Sequence, residues 1–152
     1  MKYEVVTLDK KVVVGKSIRT TNKNGQSMND IGVMWQKFIG EGIYESIKNK
    51  VNGKVIGLYT EYEGDVTAPY TFMCCCEVAE RNNNDDLDTK IISNGKYAKF
   101  TVKGDMVKAV GEAWCKIWEM DLDRKYDCDF EVYNNDSEDM NNQTIDIFIS
   151  LN

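Results

Sequence analysis

Residues 95–133 have the sequence GKYAKFTVKGDMVKAVGEAWCKIWEMDLDRKYDCDFEVY, and this stretch is the most informative about the fold. The residues from Tyr97 to Val102 predict a short strand, and Asp105 is placed to cap a helix that follows it. The apolar side chains of that helix recur at helical spacing and share one face: Val107, Val110, Trp114, Ile117 and Trp118. Trp114, in the middle of this face, is expected to be plain core.

The segment DFEVY, at residues 129–133, predicts a second strand. Because side chains alternate along a strand, Asp129, Glu131 and Tyr133 share one face, and the two apolar residues share the other. QTIDIFISL, at residues 143–151, predicts a third strand whose three isoleucines face away from its phenylalanine. The second half of the chain is therefore expected to run strand, helix, strand, strand.

The first half of the chain repeats this order. Residues 3–19 predict one strand with a bend near its middle, and the polar residues 20–30 predict a loop. A helix is expected from Ile31, with Asn29 or Asp30 as its cap. Its apolar positions recur at helical spacing: Met34, Trp35, Phe38 and Ile39.

A hairpin follows that helix, formed by KVIGLYTEY at residues 54–62 and TFMCCCEV at residues 71–78. We expect one α+β domain over residues 1–152, made of two pseudo-repeats, 1–80 and 91–152, joined by an exposed polar linker at 81–90. Two β-α-β-β units can share one antiparallel sheet with both helices on a single face and a cleft between the repeats. Two repeats leave no residues for a DNA-binding domain.

The composition excludes several classes of function. The 152 residues contain no histidine, which excludes serine and cysteine hydrolase triads and histidine-ligated zinc. No Gly-rich phosphate loop is present. The net charge of −6 disfavours binding to nucleic acid or to anionic membrane surfaces. The N-terminal residues do not resemble a secretory signal, so we expect a cytoplasmic protein.

The five cysteines offer a weak metal hypothesis. A zinc site would require Cys74 and Cys76 to meet Cys115 and Cys128, and no CxxC spacing supports it. Free cysteine behaves mainly as a small buried hydrophobe. We therefore expect neither a metal nor a cofactor.

Glu131 is the residue with the most chemical interest. If its face of the strand lines an aromatic cleft, the carboxylate is desolvated and attracts a cation, and ring faces add cation–π attraction. The alternative is a solvated carboxylate on an open side of the sheet, because antiparallel sheets often leave one face wet. The spacing alone does not decide between the two.

The segments IGVMWQKF, IGLYTEYEGDVTAPYTFMCCCEV and residues 95–133 resemble the GyrI-like small-molecule-binding family. This family is close to the effector-binding domains of AraC-type and MerR-type bacterial transcription activators and to integron-associated effector-binding proteins. The resemblance covers nearly the whole chain and is strongest from Ala113 to Tyr133.

The resemblance implies a ligand cleft between the two halves that holds bulky, often cationic aromatic compounds, as in multidrug binding and transcription regulation. Glu131 matches the buried glutamate of the family. By the same resemblance the cleft wall consists of Trp35, Tyr59, Tyr62, Phe72, Trp118 and Tyr133.

Three functions follow as hypotheses. The favoured one is a stand-alone protein that senses or sequesters a hydrophobic, cationic aromatic ligand. The second is a small hydrolase of reactive electrophiles in which Glu131 is the general base. The third is an interaction protein directed at gyrase or at a separate regulator.

Overall fold

The computed structural model describes residues 2–64, 67–79, 87–135, 139 and 141–152. All the strands in this part of the chain pair antiparallel in one sheet: β1 (Glu4–Leu8), β2 (Lys11–Thr20), β3 (Val55–Thr60), β4 (Tyr70–Val78), β5 (Asp88–Ile92), β6 (Gly95–Gly104), β7 (Cys128–Tyr133) and β8 (Gln143–Ser150). The α-helices are α1 (Gln26–Gly40), the short α2 (Ile43–Ser46) and α3 (Lys108–Trp118). The predicted α+β class, with an antiparallel sheet, is confirmed.

The strand order is β1-β6-β8-β7-β3-β4-β2-β5. If each strand is replaced by the one four places later in the chain, with β1 following β8, the same order is obtained in reverse. The strands of the two halves therefore occupy equivalent positions in the sheet. The predicted unit is nevertheless incomplete. Residues 3–19 form two strands, not one bent strand, and residues 88–90 of the predicted linker belong to β5. Residues 81–86 of that linker lie outside the described residues.

The additional strands cross between the halves. β1 pairs with β6, and β5 pairs with β2, so each half contributes an edge strand to the other. Only two residues join β1 to β2, and only two join β5 to β6. Three Cα–Cα steps span at most about 11 Å. The two edges of the sheet must therefore approach each other, and the sheet is rolled.

Each face of the rolled sheet carries a buried apolar core. The face without helices encloses an apolar core that draws on strands near both edges, including Val13, Ile92, Tyr97, Phe130 and Phe148. The other face is covered by α1 over the first half and by α3 over the second. An open wet face, the alternative considered for the sheet, is therefore absent around β7. As predicted, the isoleucines of β8 pack beneath α3, while Phe148 faces the opposite core.

The predicted start of α1 is wrong, and the predicted cap of α3 is confirmed. α1 begins at Gln26, five residues before the predicted Ile31, because a 3-10 turn and the left-handed Gly25 (φ 70°) redirect the chain into the helix earlier. Asp30 is therefore inside the helix, where its carboxylate accepts a hydrogen bond from Thr20 at 2.8 Å. Asp105 caps α3 as predicted, accepting from the backbone N–H groups of Val107 and Lys108. None of the described helices is long and apolar enough to cross a membrane.

Candidate functional site

The floor of the candidate site is formed by two neighbouring central strands, β3 and β7. Their register places Glu131 opposite Gly57, and Asp129 opposite Tyr59. Alternation directs these side chains toward the helices and directs Phe130 into the opposite core. The strand that the DFEVY pattern predicted therefore presents its polar residues to the helix-covered face.

The walls of the site come from α1 and α3, which lie on the same face of the sheet but leave a gap above β3 and β7. The gap is a cleft with a volume of about 580 Å³, within the usual range for small-molecule pockets. Trp35 of α1 and Trp114 of α3 both line it. At the mouth, Met28 and Val107 are both 83% exposed, and Trp118 is 52% exposed. The mouth is therefore bordered by apolar side chains that water contacts.

Glu131 lies at the bottom of this cleft and is only 1% exposed. Its Oε2 accepts hydrogen bonds from Tyr59 Oη at 2.9 Å and from Trp114 Nε1 at 2.5 Å. Its Oε1 accepts one from Tyr133 Oη at 2.8 Å. All three donors are neutral, and among the ion pairs of the described residues none includes Glu131. The carboxylate is thus oriented by neutral donors but has no cationic partner in that set.

Gly57 makes the position of this carboxylate possible. A Cβ atom at residue 57 would lie 2.8 Å from Glu131 Oε1, 3.2 Å from the Trp35 ring and 3.3 Å from the Phe72 ring. Real side chains do not tolerate the first of these distances. A Cβ atom at residue 57 would therefore force the Glu131 carboxylate to shift away from its three hydrogen-bond donors.

Burial governs the protonation of the groups around Glu131. Desolvation raises the pKa of Glu131 above its ordinary value of 4.5, while the hydrogen bonds from Trp114, Tyr133 and Tyr59 lower it in part. Burial also raises the pKa values of Tyr59 and Tyr133, and the neighbouring Glu131 carboxylate raises them further. Both phenols therefore remain protonated donors at neutral pH.

A second buried carboxylate lies two residues away, at Asp129. Its Oδ2 accepts from Arg124 Nη2 at 2.7 Å and from Tyr62 Oη at 2.6 Å. Its Oδ1 accepts from the backbone N–H and the hydroxyl of Ser150. Arg124 also lies over the ring of Tyr126, with 4.4 Å between its guanidinium carbon and the ring centroid. Asp129 is therefore a neutralised, fully hydrogen-bonded group at one end of the cleft floor.

The structure brings together six of the seven residues predicted for the site. These six line the cleft: Trp35, Tyr59, Tyr62, Trp118, Glu131 and Tyr133. Phe72 does not line it; its fully buried ring lies behind the wall, 5.1 Å from the Tyr59 ring and 6.0 Å from the Trp35 ring. Its effect on the site is to support those two rings.

The expectation that Trp114 is plain core is wrong. Trp114 lines the cleft, donates to Glu131 and lies 5.2 Å from the Tyr59 ring. One signal for this exists in the sequence, because Trp114 and Trp118 are four residues apart and so share a helix face. Sequence reasoning also missed further lining residues, among them Met28, Ile31, Tyr70, Met106, Val110 and Arg124. Met28 was missed because the helix was expected to begin after it.

The cysteines do not converge. Cys74 and Cys76 face the core beneath α1, whereas Cys128 faces the opposite core, and Cys115 is exposed on α3. No group of metal-ligating side chains occurs among the described residues. The sheet itself separates the thiols that the zinc hypothesis required to meet.

Comparisons with known proteins agree with this architecture. The chain is similar to an integron cassette protein from the mobile metagenome of Vibrio cholerae, with 27% identity, a TM-score of 0.79, and coverage of 99% of this chain and 95% of that one. It is also similar to SAV2435, solved bound to tetraphenylphosphonium (21% identity, TM-score 0.83, 100% and 94% coverage). A third similar structure is a putative transcription regulation protein of Staphylococcus aureus MU50 (21% identity, TM-score 0.77, 98% and 97% coverage).

Among curated proteins no sequence matches significantly. The family model described as integron-associated effector binding protein matches residues 4–151. The predicted resemblance to GyrI-like and integron-associated effector-binding proteins is thereby confirmed, and the chain belongs to the integron-associated effector binding protein family.

Proposed function

We propose that this protein binds a bulky, hydrophobic, cationic ligand in the cleft between α1 and α3. The observation that supports this most is Glu131, a buried carboxylate held by three neutral donors and without a cationic partner among the described ion pairs. An unpaired buried charge is costly. A ligand cation at the bottom of the cleft would offset that cost, and membership of an effector-binding family supports small-molecule binding in general.

The walls suit the rest of such a ligand. Trp35, Tyr59 and Trp114 surround the carboxylate with ring systems, and ring faces attract cations by about 0.5–2 kcal/mol each. The apolar side chains at the mouth would lose contact with water when a large apolar ligand enters. The structural relative SAV2435 was solved with tetraphenylphosphonium, a ligand of this class.

The hydrogen bonds favour binding over hydrolysis. A carboxylate has about four lone-pair positions, and three of those on Glu131 accept from Tyr59, Trp114 and Tyr133. A general base would have to use the one position that is left, whereas a cation needs none of them, because it is attracted by the charge that the three neutral donors leave uncompensated. The geometry therefore supports Glu131 as a charge anchor.

The test compares two ions of the same shape and opposite charge, tetraphenylphosphonium and tetraphenylborate. All three tryptophans line the cleft, so intrinsic fluorescence reports directly on its occupancy. We expect saturable quenching by the phosphonium and binding of the borate that is weaker by at least about tenfold. Glu131→Gln should remove most of that preference.

Glu112→Gln is the matched control. Glu112 also lines the cleft, but it is exposed on α3, where water and salt screen its charge. This variant should retain the affinity and the charge preference of the parent. If the Glu131→Gln and Glu112→Gln variants show the same preference for the phosphonium over the borate, the proposed role of Glu131 is wrong. It is also wrong if the parent does not prefer the cation.

A further inference from the structure

A second cavity of about 250 Å³ lies on the helix-free face, on the reverse side of β7 from Glu131. Five of its lining residues are apolar, two of them aromatic, and seven are polar or charged. Phe130 and Phe148 stack there with ring centroids 4.6 Å apart and an interplanar angle of 13°, and Val132 and Ile56 extend the same surface. This cavity shares no lining residue with the cleft.

Lysines surround that apolar floor. Lys11, Lys54 and Lys99 line the cavity, in a protein whose net charge is −6. Lys11 pairs with Glu77 at 3.5 Å. Lys99 pairs with the exposed Glu4 at 3.8 Å, and its ammonium nitrogen also lies over the Phe148 ring, 5.9 Å from the ring centroid.

Lys54 is exposed, and no ion pair among the described residues includes it. The cavity also contains two carboxylates, Glu77, which is paired with Lys11, and Asp146, which accepts hydrogen bonds from Thr101 at 2.8 Å and from Asn134 at 3.0 Å. The cavity therefore combines an apolar floor with ammonium groups that are weakly paired.

We propose that this cavity is a second binding site, for a small aromatic carboxylate. Its ring would lie on the Phe130–Phe148 stack, and its carboxylate would bind Lys54 and Lys99. The volume is below the range of about 300–1,000 Å³ typical of drug-sized ligands, which favours a ligand with a single ring. This site would prefer an anion, whereas the cleft is proposed to prefer a cation. The two sites lie on opposite faces of the sheet at β7.

The shape of the cavity favours a small molecule over an acidic peptide. An extended peptide needs an open groove or a free strand edge, whereas β7 and β8 pair with strands on both sides in the interior of the sheet.

The probe for this site is benzoate, with benzyl alcohol as its uncharged counterpart, followed by backbone-amide NMR. We expect saturable benzoate binding with a dissociation constant of at most about 10 mM, with the largest shifts at residues 130–132 and 146–148. Benzyl alcohol should bind at least about threefold more weakly. Lys54→Met and Lys99→Met, which retain the alkyl stem, should each weaken benzoate binding by about threefold or more.

Lys96→Met is the matched control, because Lys96 is an exposed lysine of β6 outside this cavity; it should leave benzoate binding unchanged. Glu131→Gln should also leave it unchanged, which separates this inference from the proposed function of the cleft. Absence of saturation, shifts located elsewhere, or equal binding by the Lys54 and Lys96 variants would overturn the proposal. Tighter binding of a tetraglutamate peptide at the same residues would overturn it as well.

Discussion

Asp129 and Glu131 lie two residues apart on the same face of β7, and both are buried, but their surroundings differ. Asp129 has a cation of its own, because Arg124, with a side chain only 8% exposed, pairs with it at 2.7 Å. Glu131 has three neutral donors and no cationic partner among the described ion pairs.

This contrast separates a carboxylate that is paired within the protein from one that we propose to bind a ligand. Burying a charge is costly, and folding alone gains little from it unless the charge is paired. Asp129 meets that condition within the protein, where it joins β7 to the end of β8 through Ser150. Glu131 has hydrogen-bond donors but no cation among the described ion pairs, and this is the basis of the proposal that a ligand supplies one.

Removing the charge of Asp129 should have the largest effect on stability. Asp129→Asn leaves Arg124 buried without its anion, and breaking a buried pair in this way costs about 3–5 kcal/mol. Urea denaturation measures the loss. Tyr62→Phe removes a single neutral donor to the same carboxylate and should cost only about 1 kcal/mol. Similar losses for both variants would mean that the ion pair is not the dominant interaction.

Filling the space beneath Glu131 should have the next largest effect. Gly57→Ala brings a Cβ atom within 2.8 Å of Glu131 Oε1, and overpacking of this kind costs about 1–3 kcal/mol. The displaced carboxylate should also lose at least about tenfold in tetraphenylphosphonium affinity, measured by fluorescence.

Gly40→Ala is the control for that variant. A Cβ atom at residue 40 would meet nothing within 4 Å, and Gly40 does not line the cleft. It should change stability by no more than about 1 kcal/mol and leave binding unchanged. Equal affinity of the two alanine variants would contradict the close fit at Gly57.

The titration of Glu131 should have the smallest of these effects on stability. Because the pKa of Glu131 is raised above 4.5 in the folded state, the folded protein retains a proton that the unfolded chain has already released. The unfolded chain then binds fewer protons, so stability falls as pH rises between 4.5 and the raised pKa. The effect is confined to that range, because both states are ionised above the raised pKa.

This dependence is measured as the difference in unfolding free energy between the parent and Glu131→Gln, which cancels the titration of other groups. As the pH increases, the unfolding free energy of the parent should fall relative to that of Glu131→Gln. Over the same range the affinity of the parent for tetraphenylphosphonium should increase, because the carboxylate becomes anionic. A difference that stays constant with pH, or moves in favour of the parent, would show that burial does not raise this pKa.

Much of the fold follows from local patterns in the sequence. Period-two alternation in DFEVY assigned Phe130 and Glu131 to opposite faces, and the capping pattern placed Asp105 at the start of α3. These features depend on neighbours in sequence, so a single chain contains the information. β5, with the sequence DTKII at residues 88–92, was not predicted. It follows a polar run, and it is held at the edge of the sheet by pairing with β2, which is far away in the sequence.

The candidate site was predicted only in part, for a related reason. Glu131 and five of its aromatic neighbours were found by alternation and by resemblance, while Trp114 and Phe72 were assigned to the wrong layer. Helical periodicity states which face a tryptophan occupies, but not whether the opposing surface is packed or open. The gap between α1 and α3 decides that, and it is a property of how two separate helices settle on the sheet.

The amino-acid sequence alone therefore specifies the class of fold, the alternation of β7 and the absence of histidine chemistry. The tertiary structure was needed to show that Asp129 has a cationic partner and that Glu131 has none among the described ion pairs. Arg124, the partner of Asp129, lies in the loop between α3 and β7, and the path of that loop decides which carboxylate it contacts. It was also needed to show that the sheet rolls around a second apolar core on its helix-free face, because the edge strands exchange between the two halves. Partners distant in sequence are set by packing, and packing depends on the whole chain at once.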